Sequence, residues 1–343
     1  MAGAGRRGPG GGRRLARRRQ LPGRALRRRL RRGELGAGVS AGGIVVAVVG
    51  PTAAGKSALS IALAHALGGE VVNADSMQLY RGMDVGTAKL TPAERDGVPH
   101  HLLDIWPVTE PASVAEYQKL ARAAVDDILA RGRVPLLVGG SGLYVRAVLE
   151  QFEFPGTDPA VRERLEAELA ERGPAPLHAR LAEADPEAAA GILPTNGRRI
   201  VRALEVIELT GAPFTASLPS PTPYYPSVQL GVDLDTALLD ERIALRVDRM
   251  WADGLVDEVR TLVGEGLPGA RTASRALGYQ QVLRFLAGEL TETQAYEETI
   301  RATRRFVRRQ RSWFRRDPRI HWLDSASPAF LDTALRVVAE HRR

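Results

Sequence analysis

The segment Gly50-Pro51-Thr52-Ala53-Ala54-Gly55-Lys56-Ser57 satisfies every fixed position of the pattern G-x-x-x-x-G-K-[ST]. Glycines let the backbone turn tightly enough for successive N–H groups to point at phosphate oxygens. A helix starting at the end of the loop adds its positive pole. Lys56 then neutralises an outer phosphate, and Ser57 offers a hydroxyl to Mg²⁺. A nucleoside triphosphate is the usual ligand of such a loop; a glycine turn without a ligand is the bland alternative. One part of a triphosphate hydrolase is missing, however. Such enzymes end a second strand in an Asp that organises the metal, whereas the best candidate strand, "VPLLVGGSG", ends in Gly139-Gly140-Ser141. The acid that does end a strand is Asp75, in "NADSMQLY". One strand away from the loop it is placed to act as a general base beside the phosphates. As a cap or turn aspartate it would do no chemistry.

A second constellation is basic. In "RATRRFVRRQRSWFRR" the spacing puts Arg301, Arg304, Arg308, Arg311 and Arg315 on one helical face, with Arg305 and Arg309 beside them. No acid lies between Glu298 and Asp317, and Trp313 and Phe314 interrupt the run. Such a strip pairs with a phosphate backbone and offers aromatic rings to unpaired bases. A solvated helix face is the alternative, disfavoured by the missing acids. Arg198, Arg199 and Arg202 form a further basic cluster. His100 and His101 are adjacent and lack the spacing of a metal pair, so packing or hydrogen bonding is their expected role.

The elements that must carry these residues follow from periodicity. "GIVVAVVG" reads as a buried strand before the loop, and Ser57 to Leu67 as the helix after it, stopping at Gly68-Gly69. "EVVNADS", "HHLLDI" and "VPLLVGGSG" read as further strands, and Ser113 with Glu116 as the capping box of a helix reaching about Arg131. Strands alternating with helices imply α/β architecture, a parallel sheet covered on both faces. Between about 151 and 225 three amphipathic helices follow one another without strands, and "SLPSPTPYYP" links them back to the apolar run "VQLGVDL". The expected organisation is a P-loop NTPase-like core, 43–150 and 226–343, with an all-helical insertion at 151–225. The tail reads as the basic helix, a short strand "RIHWLD" and a last helix.

Bulk properties narrow the class. The chain has 343 residues, a net charge of +8 and no cysteine, so a disulfide framework and a cysteine-ligated zinc site are excluded. The apolar runs fall far short of the roughly 20 residues of a membrane helix. A cytoplasmic protein that touches no membrane is expected. Thirteen arginines against Glu34 give the first forty residues +12, which leaves −4 for the rest. Residues 1–42 are Arg/Gly-rich with no apolar period and are expected to be disordered. They read as a nucleic-acid-attracting tail or as upstream sequence from a mis-assigned start.

Taken in order, "GPTAAGKS", "NADSMQLYRGMDVGTAK", "PHHLLDI", "PLLVGGSGLY", "NGRRIVRALEV", "ERIALRVDRM", "SRALGYQQ" and "TRRFVRRQRSWFRR" resemble the tRNA dimethylallyltransferase (isopentenyltransferase) family, from Val45 to about Asp324. The resemblance implies transfer of a five-carbon prenyl group from dimethylallyl diphosphate to N6 of adenosine-37, next to the tRNA anticodon. The loop would then hold a prenyl diphosphate and Mg²⁺, with Thr52, Ser57 and Arg246 on the diphosphate and Asp75 as the base. The family's tRNA-gripping positions correspond to Asp75, Ser76, Met77 and Gln78, to Ser141, and to Arg162. They also correspond to Arg198 through Arg202, to Arg275 through Gln280 (Gly278 and Tyr279 included), and to Arg308 through Arg315 (Arg309, Gln310, Arg311 and Trp313 included). The target base must be flipped out of the anticodon stem-loop to react, and the insertion would close over that stem. Departures from the family pattern are small. Leu90 follows Lys89 where proline is frequent, and Ser141 stands where threonine is common, keeping the hydroxyl. No segment is set aside for an oligomer interface, so a monomer is expected. A small-molecule kinase would explain the loop but leave the basic tail without a task. A non-catalytic RNA-binding protein would explain the tail but give none to Lys56, Ser57 and Asp75.

Overall fold

In the computed structural model the described residues are 43–152, 154–214 and 222–342. The arginine-rich extension expected at 1–42 lies outside them. Short apolar runs without alternation form the central strands, buried on both faces: β1 (Val45–Val49), β2 (Gly69–Asn73), β4 (Val134–Gly139) and β5 (Ser227–Asp233); β3 (His100–His101) and β6 (Ile320–Asp324) flank them and are partly exposed. They make one sheet in the order β3-β2-β4-β1-β5-β6, every pair parallel. β1 lies between β4 and β5, so the loop leaving it opens where the strand order reverses, at the carboxyl ends of the strands. "HHLLDI" gives a strand of only two residues. Leu102 and Asp104 take left-handed backbone conformations, with φ of 60° and 59°, which no strand continues through.

The helices of the first half are α1 (Lys56–Leu67), α2 (Val114–Ala130) and α3 (Gly142–Leu149). Ser113 caps α2, its hydroxyl accepting from the Glu116 N–H. Among the described residues the insertion holds four helices rather than three: α4 (Pro159–Arg172), α5 (Pro174–Ala184), the short α6 (Pro186–Ala190) and α7 (Gly197–Thr210). Pro186 splits the expected second helix because its ring cannot sit inside one, and Asp185 caps the new start through the Ala188 N–H at 3.0 Å. Leu165, Leu177, Leu181, Ile200 and Leu204 bury a core of their own there. The strands leading in and out run antiparallel: Gln151 N donates to Thr222 O at 2.8 Å, and Tyr224 N to Leu149 O at 2.7 Å. Arg122 of α2 braces both, bonding the carbonyls of Ala147, Val148 and Glu150 while its guanidinium lies 3.6 Å over the Tyr224 ring.

After β5 come α8 (Thr236–Ala252), α9 (Leu255–Gly264), α10 (Tyr279–Leu286), the long α11 (Glu292–Phe314) and, beyond β6, α12 (Phe330–Glu340). α8 carries Arg246 past the loop and α11 carries the basic run. No described helix is long and apolar enough to cross a membrane.

Candidate active site

Gly50 leaves β1 with φ of +132°, and a Cβ there would sit 2.3 Å from the Val232 carbonyl oxygen, so only glycine lets the chain turn off the sheet. Ala53, at the crest of the loop, holds φ of 64°. That strain in a non-glycine residue is tolerated where the surroundings fix it. They do so on every side. Lys56 Nζ donates to Pro51 O at 2.8 Å, Arg246 to Thr52 Oγ1 at 2.7 Å, and Gln310 Oε1 accepts from Thr52 N at 3.0 Å. Arg242, one turn before Arg246 on α8, reaches the carbonyls of Ala53 and Ala54 at 3.5 and 3.4 Å. Burial, reinforced by the Arg246 charge and opposed by Asp75, draws the Lys56 ammonium down to about 8. Burial lowers Arg246 as well, and Asp75 again opposes the shift. Two cations held this way gain most from an arriving polyanion. Ser57, the second residue of α1, has an exposed side chain whose hydroxyl has no partner among the described residues.

Asp75 lies just past the end of β2, half-buried. Its Oδ1 accepts the Met77 N–H at 3.0 Å, so it does close a turn, but Oδ2 has no partner among the described residues. Its backbone is fixed by Asn73, whose side chain accepts from Asp75 N and donates to Asp75 O and Leu102 O. Tyr117 and Tyr144, rings 4.6 Å apart, sit within reach of the Asp75 charge, and burial pushes both phenols up. The Tyr117 hydroxyl donates to Asn73 O. Across the crevice, Ser141 Oγ lies 3.4 Å from both the N and the Oγ of Ser76. A phosphate cradle and an available carboxylate oxygen thus share one edge of the sheet. A cleft lined by Ser57, Asn73, Gln78, Leu90, His100 and Leu103, among others, opens beside them. Among the described residues no group of three acidic, His or Cys side chains could hold a metal unaided. An ion there would have to share Ser57 with ligand oxygens, which suits Mg²⁺.

Of the other residues expected at an RNA interface, the structure leaves some outside and turns others inward. Arg198, Arg199, Arg275, Gln280, Arg308, Arg309, Trp313 and Arg315 are exposed, and Gln78 is half-buried, donating to Thr87 O. Tyr279 and Gly278 are buried, so the Tyr279 side chain presents no surface to a partner in this structure. Its hydroxyl donates to Glu258 at 2.5 Å, and burial beside that carboxylate pushes the phenol up. Glu258 also accepts the N–H groups of Asp84, Val85 and Gly86, locking the segment that follows Gln78. Gln310 is buried and turned to the loop. Arg162 and Arg202 both bind the buried Glu205, and Arg202 also reaches the carbonyls of Pro155 and Gly156, which ties α7 to the incoming link.

The basic row of α11 is not acid-free in three dimensions. Asp233 at the end of β5 accepts from Arg311 and Arg315 at 3.1 and 3.0 Å, and Asp240 of α8 pairs Arg304 and, at 4.0 Å, Arg308. The solvent face is instead Arg301, Arg305, Arg308, Arg309, Arg315 and Arg316. Arg242 was not singled out from the sequence, although its spacing of four from Arg246 put both on one helical face. His101 Nε2 contacts Glu70 at 2.8 Å and His100 Nδ1 the Val98 carbonyl, in line with hydrogen bonding rather than ligation.

A family model described as IPP transferase matches residues 78–317. A protein named tRNA dimethylallyltransferase from Salinispora arenicola is 86% identical over 298 residues, 87% of each chain. One of the same name from Thermobifida fusca is 68% identical over 302 residues, 87% of this chain and 95% of its own. Among solved structures, the tRNA isopentenylpyrophosphate transferase of Bacillus halodurans is 41% identical with a TM-score of 0.66, covering 88% of this chain and 97% of that one. A eukaryotic dimethylallyltransferase acting on tRNA is 26% identical with a TM-score of 0.74, covering 86% and 77%. The chain therefore belongs to the IPP transferase family, the tRNA dimethylallyltransferases.

Proposed function

We propose that this protein transfers a dimethylallyl group from dimethylallyl diphosphate to N6 of adenosine-37 in tRNA and releases pyrophosphate. Family membership supports the reaction class. The observation that carries the local chemistry is the pairing of a phosphate cradle with Asp75, whose Oδ2 is available, while the strand beside β1 ends in Gly139 where a hydrolase would carry its metal-organising acid. The adenine N6 attacks the allylic carbon; the N6–C bond forms as the carbon–oxygen bond to the diphosphate breaks. The proton leaving N6 passes to Asp75. Negative charge gathering on the leaving pyrophosphate is met by loop N–H groups, Lys56 and Arg246, fixed before the reaction begins. Ser57 would help to hold Mg²⁺, which would supply further charge neutralisation.

The flipped adenosine would enter between Ser76 and Ser141, with Gln78 and Met77 beside it. Arg308, Arg309 and Arg315 on the exposed face of α11, Arg198 and Arg199 on α7, and Arg275 with Gln280 would take the backbone of the anticodon stem-loop. In this reading 151–225 acts as a separate helical body over that stem, and the protein works as a cytoplasmic monomer. Incubation with unmodified tRNA, Mg²⁺ and labelled dimethylallyl diphosphate, beside a parallel reaction with labelled ATP, tests the proposal. Label entering tRNA, and lost when the target adenosine is replaced by guanosine, is the expected result. Absence of prenyl transfer together with ATP consumption would overturn it in favour of a kinase.

A further inference from the structure

Gln310 lies on α11 between exposed Arg309 and half-buried Arg311, yet its side chain faces the opposite way and is buried. Its amide is used at both ends. Oε1 accepts the Thr52 N–H at 3.0 Å, and Nε2 donates to the Gly140 carbonyl at 2.9 Å. A Cβ on Gly140 would stand 2.3 Å from that Nε2, so the approach depends on glycine there. The Thr52 N–H belongs to the same planar peptide unit as the Pro51 carbonyl, which accepts from Lys56 Nζ at 2.8 Å. This single peptide is therefore held at one end by Lys56 and at the other by Gln310. The side chain of the same Thr52 receives Arg246 at 2.7 Å.

We propose that Gln310 is a positioning residue for prenyl transfer: it fixes the Pro51–Thr52 peptide, and through Thr52 the Arg246 guanidinium, in the geometry that receives the diphosphate. The inference rests on the prenyl-diphosphate reading of the loop. Lys56 Nζ has three donors, so an arriving phosphate can share it with the Pro51 carbonyl. Gln310, uncharged and buried, is the restraint on that peptide for which a phosphate does not compete. Without that restraint the peptide samples orientations that set its carbonyl oxygen, the negative end of its dipole, against the incoming anion. The Gly140 carbonyl keeps the amide from rotating away and links the restraint to the turn that carries Ser141. Gln310 thus acts on the diphosphate from the helix whose opposite face presents Arg308 and Arg309.

The test uses Gln310→Met, which keeps the length and removes both bonds, and Gln310→Asn, which is uncharged and too short to span Thr52 and Gly140. Inorganic pyrophosphate binding is measured by calorimetry, tRNA binding by anisotropy, and KM and kcat for each substrate in the transfer reaction. The expected result is a loss of pyrophosphate affinity of about tenfold, the scale of one well-placed hydrogen bond to a charged site. kcat falls with it, while tRNA affinity and the KM for tRNA stay within about twofold. Weaker tRNA binding with unchanged pyrophosphate affinity would overturn the proposal and make Gln310 an RNA contact. Both affinities unchanged, or both reduced together, would overturn it as well, the latter by showing that the side chain merely holds α11 in place. If one variant does not fold, the other carries the same readouts. Wild-type protein that fails to bind pyrophosphate would sink the reading of the loop itself, a result distinct from any of these.

Discussion

Diphosphate binding should weaken steeply above neutral pH, and Lys56 sets the scale. Its ammonium is held down to about 8, by burial first and Arg246 second, against the pull of Asp75. A bound diphosphate favours the charged form, so ligand and proton bind together. From pH 7 to pH 9 the charged share of the ligand-free protein drops from about nine-tenths to about one-tenth, which raises the Kd of an alkyl diphosphate roughly tenfold. Calorimetric titration across this range measures it, with an alkyl diphosphate whose own protons are already gone at the start. Lys56→Arg is the control, because a guanidinium stays charged throughout and its Kd should be flat. Folding shows the opposite trend. A lysine whose pKa is lower in the folded state binds its proton more tightly when unfolded, so the ligand-free protein gains stability as pH rises from about 8 toward 10.5. A wild-type Kd that does not change over this range, or an equal slope in Lys56→Arg, would refute the assignment of Lys56 as the titrating contact.

Asp75→Asn should retain pyrophosphate and tRNA affinity within a few-fold while lowering single-turnover prenyl transfer by about 10²–10⁴; turnover near wild type would remove Asp75 from the base role. Replacing Arg308, Arg309 and Arg315 by Gln should weaken tRNA binding and reduce its salt slope by about 0.7 for each phosphate no longer neutralised. Arg315 should contribute least because it already pairs with Asp233. Gly86→Ala would place a Cβ 2.4 Å from the Tyr279 ring, which Glu258 holds by its hydroxyl, so thermal unfolding should show a loss of about 1–3 kcal/mol.

The sheet and loop were readable because their signals are local. A buried parallel strand is a short valine-rich run, and the phosphate loop is eight consecutive residues. Errors arose where the deciding partner is distant in the chain. The acids missing from the neighbourhood of Arg304, Arg311 and Arg315 are supplied by Asp240 and Asp233, more than sixty positions away. Gln310 and Tyr279 belong to motifs that resemble RNA-contacting segments, but alternation along a helix does not say which side faces a neighbour 258 residues away or the carboxylate of Glu258. The stretch from Tyr80 to Pro99 carried no periodic signal because polar bonds organise it. Lys89, buried, donates to the Tyr80 carbonyl, Asp84 and Asp104. Composition cannot show that a lone lysine is the centre of a loop.

The two links at Leu149–Gln151 and Thr222–Tyr224 run side by side, joined by main-chain hydrogen bonds and braced by Arg122. The helical segment therefore leaves the sheet and returns to it at one point, like a bud on a stem. A two-residue turn joining Gln151 to Thr222 would close that point as an ordinary hairpin. The sheet-bearing part could then be made without its helical companion, and a different folded segment could be grafted at the same junction.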